Sequence, residues 1–204
     1  MNILKKVICL ILIVFSIASI ANSNGFDLRS LENSIKHGNT EEAIKQINLS
    51  KHEQYRKEVS SYILSLWEQR SSSEYSVLKN SLVLINLADF LSQAHKNGFI
   101  KIDESPVLDL AHSSLGSNDE QVVSQSLNIL SRSSAEEDVG TIFSFIQDAK
   151  SEYLFNVSVM AVLSQCDKLL NQELHDLKKL SNKKKKYIKD SYNDFKAAGL
   201  CADI

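Results

Sequence analysis

Two stretches decide the fold: "VVSQSLNILSRSS", Val122 to Ser134, and "FNVSVMAVLSQC", Phe155 to Cys166. Each is an apolar run closed by a shared Ile/Val-Leu-Ser pattern, and Leu130 and Leu163 end that pattern 33 residues apart. Val123, Leu127 and Leu130 follow the i, i+4, i+7 spacing of a helix with one buried stripe. Leu154 to Leu163 is apolar nearly all round, as is "LVLINLADFL", Leu82 to Leu91, so both helices must be enclosed on several sides. Asn86 and Asp89 inside ten residues rule out a membrane span there. Extending the comparison gives units of short helix, turn and longer helix that begin near Ser105, Glu137 and Gln172. Leu127, Met160 and Tyr192 fall at matching places, as do Leu130, Leu163 and Phe195. A helix pair cannot bury its own apolar face, so pairs stack, and a period of 32–33 residues is the trace of that stacking.

Helix-start signals run along the rest of the chain. A Ser or Asn followed three residues later by Glu allows reciprocal capping, and Asn39–Glu42, Ser50–Glu53, Ser71–Glu74, Ser117–Glu120 and Ser134–Glu137 all fit. Pro106, the single proline, follows Ser105 at a first helical position, where its missing N–H is harmless. Gly38, Gly98, Gly116 and Gly199 sit where helices should stop. These signals predict about ten helices, near 27–37, 40–48, 51–70, 73–97, 106–115, 118–132, 136–149, 152–165, 172–180 and 183–198. No segment alternates long enough for a strand. The expected class is all-α, an α-solenoid: a superhelix of stacked antiparallel helix pairs. The last helix, with Ile188, Tyr192 and Phe195 on one stripe and Lys, Asp and Asn elsewhere, suits a terminal cap.

Residues 105–199 resemble the HEAT-like family of helical repeats, although most of the Asp and Arg which that family carries around its inner turn are absent. "IKHGNTEEAIKQI", Ile35 to Ile47, resembles half a tetratricopeptide-like unit. Both resemblances imply a right-handed stack of helix pairs with a concave binding face, and neither implies chemistry.

The first 23 residues belong to another regime. "MNILKK" is a basic head, "VICLILIVFSIASI" is apolar, and "ANS" supplies small residues before polar "NG". This is the pattern of a cleaved secretory signal peptide, over residues 1–23. Residues 24–204 then form a single helical repeat domain with no stable membrane span, exported to the periplasm or exterior of a bacterium. Cleavage carries away Lys5 and Lys6 and no acid, which takes the formal charge from −2 to −4. A mildly acidic chain offers no footprint for nucleic acid. Cys9 leaves with the signal. In an oxidising compartment Cys166 and Cys201 are expected to form a disulfide, whose loop of about 35 residues contributes roughly 3–4 kcal/mol in the chain-entropy model. The alternative is two separate thiols.

Chemistry-bearing patterns are scarce. None of the five His lies in an H-E-x-x-H run or near a zinc-spaced Cys pair. Asp109 and His112 share a helix face, but two ligands are too few for a metal. The pairs Glu41–Glu42 and Glu136–Glu137 fit first turns of helices, where negative charge suits the dipole. Trp67 reads as a core residue. Asn156-Val157-Ser158 reads as a chance sequon in a buried helix. No cofactor, metal or catalytic set is implied. "KKKK", Lys183, Lys184, Lys185 and Lys186, is the most eccentric feature, because it opposes the dipole at a helix start. It is either a solvated turn or the partner-binding patch. The expected function is that of an exported, non-catalytic protein-binding module, of the immunity or inhibitor kind that occludes a toxin or enzyme. An envelope adaptor or scaffold is the second expectation. A helical hydrolase or lyase is the third.

Overall fold

The computed structural model describes residues 25–52, 57–71, 74–133, 135–165 and 180–200, and among them every regular element is helical. In chain order these are α1 (Leu28–His37), α2 (Thr40–Ser50), α3 (Lys57–Glu68), a 3₁₀ turn (Ser76–Lys79), α4 (Ser81–Lys96), α5 (Ser105–Ser114), α6 (Glu120–Leu130), α7 (Glu136–Asp148), α8 (Glu152–Leu163) and α9 (Asn182–Ala197). The signal segment, Cys9, Cys166, Cys201 and all but Leu180 of the helix expected at 172–180 lie outside the described residues.

The packing follows the chain in pairs. α1 packs on α2, α3 on α4, α5 on α6 and α7 on α8. The second member of each pair also packs on the second member of the next, so that α2, α4, α6 and α8 form a row, and α9 extends it from α8. The apolar patterning explains this row. Leu87, Phe90 and Leu91 of α4, with Leu127, Ile129 and Leu130 of α6, are fully buried, and Phe155, Val159 and Val162 of α8 continue the same cluster. α4 carries buried side chains on all its faces because α2, α3, α5 and α6 surround it. Trp67 is buried, as its pattern predicts, with the Arg70 guanidinium 4.2 Å above its ring. Ile188 anchors α9, while Tyr192 and Phe195 are half-buried against the core. No helix among the described residues is long and apolar enough to cross a membrane.

Several caps match their sequence signals. Asn39 Oδ1 accepts the Glu42 amide at 3.2 Å. The Glu42 carboxylate does not reciprocate; it accepts from Gln46 Nε2 at 2.8 Å, with Ser30 and Lys45 as further donors. That hydrogen bond from Gln46, and then those from Lys45 and Ser30, hold the Glu42 carboxyl below its ordinary range against a modest push from burial. Gly38 closes α1 at φ 74°, a conformation that a Cβ would strain.

Other boundaries differ from the sequence expectation. Within the helix expected over 51–70 the described residues form α3, and Ser50, its expected cap, is the buried last residue of α2. The Ser50 hydroxyl donates to the Ile47 carbonyl at 2.6 Å, and Glu53, its expected capping partner, lies outside the described residues. The helix expected over 73–97 is broken. The 3₁₀ turn precedes it, and Asn80 starts α4 afresh by accepting the amides of Leu82 and Val83 at 2.9 and 3.2 Å. Glu74 lies outside any helix, so the helix start expected at Ser71 is not seen at Glu74. α6 begins two residues late: Asp119 is its N-cap and accepts from the Gln121 amide, while the Ser117 hydroxyl accepts from the Asp119 amide. A carboxylate outcompetes a hydroxyl for orphan amides at a helix start. Gly116 is not left-handed, unlike Gly38, Gly98 and Gly199. Ser134, the cap expected for α7, lies outside the described residues.

Candidate partner-binding site

The row of second helices ends in a cleft between the start of α8 and the start of α9. The cleft encloses about 250 Å³ and is lined by Lys150, Glu152, Phe155, Lys183, Lys184 and Tyr187, with small residues of the two turns. Local sequence builds it. The Ser151 hydroxyl accepts the Leu154 amide at 3.2 Å and starts α8. Ser181 accepts the Lys184 amide at 3.3 Å and starts α9. Both helices therefore present their positive dipole ends to the same space. Phe155, buried in α8, forms the floor, and its ring lies 5.8 Å from that of Tyr187 at an interplanar angle of 52°. Burial pushes the Tyr187 hydroxyl above its ordinary range, more than its bond with Ser191 lowers it.

The charges here are unbalanced. Lys184 Nζ stands 4.6 Å over the Phe155 ring, held by the ring's electron-rich face. Lys183 Nζ is 3.7 Å from Glu152 Oε1, but the two side chains are 87% and 77% exposed, so solvent screens the pair almost entirely. Of the four lysines singled out in the sequence, Lys183 and Lys184 line the cleft, and Lys185 and Lys186 do not. Lys150 joins them from the α7–α8 turn. Sequence reasoning missed it, although it stands 33 residues before Lys183.

A second polar cluster is buried between elements. Asp89 of α4 is ion-paired with Lys51, at the end of α2, and with Arg132, just after α6. Arg132 also donates to Ser92 Oγ at 3.2 Å and to the Asp89 carbonyl at 3.3 Å, and Lys51 reaches Asn86 Oδ1 at 3.4 Å. Burial is the largest single influence on Asp89 and pushes its carboxyl up. Lys51 and Arg132 together outweigh it and hold the group below the usual carboxylate range. The cluster ties α2, α4 and α6 together through satisfied groups. Its chemistry is that of a clamp.

Asp109 and His112 both lie on α5, three residues apart. Asp109 stays exposed, while His112 Nε2 approaches Asp138 Oδ1 to 2.6 Å. The approach lies off the hydrogen-bonding direction, so the buried Asp138 oxygen receives no directed hydrogen bond there. Among the described residues no three His, Cys, Asp or Glu side chains gather closely enough to hold a metal. Compared with protein-family models, with curated proteins and with solved structures, the chain matches none of them.

Proposed function

We propose that this chain is an exported, non-catalytic protein-binding module, built as a solenoid of stacked helix pairs, and that it works as an immunity or inhibitor protein. The observation that carries the reading is the row of second helices ending in a basic, aromatic-floored cleft. A row of helices backed by their hairpin partners offers a broad, rigid surface to another protein. A cleft with a desolvated aromatic floor and charged rim has the anatomy of a binding hot spot. The basic head and apolar run of residues 1–23 support export.

The mechanism is steric. The protein covers a partner's working cleft and needs no reacting group of its own. The test is affinity purification of the tagged protein from the envelope of its own cells, after mild cross-linking. A single partner recovered in stoichiometric amount, whose activity falls when the complex forms, is the expected result. A partner whose activity is unchanged in a permanent complex would point to an envelope scaffold instead. Turnover of a substrate by the purified chain alone would overturn the non-catalytic reading.

A further inference from the structure

We infer that the cleft between α8 and α9 receives an acidic side chain from an acid-rich segment of a partner protein, seated between Lys150 on one wall and Lys183 and Lys184 on the other. This rests on the protein-binding reading above and names the chemistry of its partner. Three lysines and two helix N-termini face one space of about 250 Å³, and among the described residues the one carboxylate lining it is the exposed Glu152. Like charges held together at the dipole's positive end repel one another in the free protein, and an incoming anion relieves that repulsion. The floor selects the kind of anion. Phe155 is buried and Tyr187 half-buried, so an occupant with a short apolar stem gains contact that a bare phosphate ion lacks.

The experiment measures fluorescence anisotropy of a labelled ten-residue glutamate-rich peptide on the full chain at low salt. Two charge-matched triple variants are compared: K150E/K183E/K184E, which alters the cleft, and K185E/K186E/K189E, which alters the exposed face of α9 by the same charge. The inference expects about a tenfold loss of affinity in the first and only a fewfold loss in the second. Equal losses would show a diffuse field and overturn the cleft. So would failure of the peptide to bind. Inorganic phosphate that displaces the peptide at equal concentration, or lysine-dependent flotation with phosphatidylglycerol vesicles stronger than peptide binding, would overturn the choice of an acidic protein segment. Far-UV circular dichroism checks the fold. If the cleft triple unfolds, the single variants K150E and K183E, both at exposed positions, are read instead, with a weaker but still selective loss expected. A cross-linked partner recovered equally by both triple variants would leave the protein-binding reading standing while this inference falls.

Discussion

At Asp89 the chain sets a carboxylate among Leu87, Phe90 and Leu91, where burial alone would drive it neutral. Lys51 and Arg132 keep it charged, and the geometry makes each of the three depend on the others. Replacing Asp89 by Asn keeps the shape but leaves two partly buried cations with no anion, which costs about 3 kcal/mol, read as a lowered urea midpoint. The pH dependence follows from the direction of the shift. A carboxyl depressed in the fold contributes stability above the ordinary aspartate range of about 4, and that contribution is lost as pH falls through the lower folded value. The protein should therefore lose thermal stability below about pH 4. Asp89→Asn should melt lower at neutral pH and show a flatter acid limb, with Glu42, also depressed, leaving a smaller slope. An acid limb equal in both proteins would remove Asp89 from the explanation.

The helices show where local chemistry is legible and where it is not. Asn39, Pro106 and Gly38 act within a few residues of themselves, so their spacing in the sequence announces α2, α5 and the end of α1. The break at Asn80 was hidden because Val77 and Leu78 of the 3₁₀ turn are as buried as the helix that follows, and the apolar period runs through both. The Asp89 cluster was hidden for a different reason. Arg132 lies 43 residues away, and no local spacing reports such a partner. Its one signal was an acid inside "LVLINLADFL", which demands a distant cation. The cleft was half legible: the lysine run was visible, but Lys150 reaches it from a different turn. Gly140 offers a test of α7 as an element. It sits inside the helix with open space where a Cβ would go and an ordinary negative φ. Gly140→Ala should therefore stabilise the protein by about 0.5–1 kcal/mol, measured by thermal or urea unfolding.

Across the whole molecule, stability should be graded along the row of second helices. α4 is enclosed by four other helices, α6 by α4, α5, α7 and α8, while among the described residues α9 leans chiefly on α8, with Ile188 as its buried side chain. In stacked arrays the ends open first, since each unit is held by its neighbours. Native-state hydrogen exchange should find the α9 amides exchanging fastest and those of α4 and α6 slowest. Uniform protection from α1 to α9 would show that the chain opens as one unit. The enclosure of α4 also governs how the chain comes into being. During synthesis α4 leaves the ribosome well before the residues of α6 that cover it, and Asp89 waits for Arg132, 43 positions later, to complete its neutralisation. Until then the nascent polypeptide displays an uncovered greasy rod with a half-matched acid, a natural client for a holding chaperone, and a fragment cut off before Arg132 would be a precipitate rather than a smaller protein.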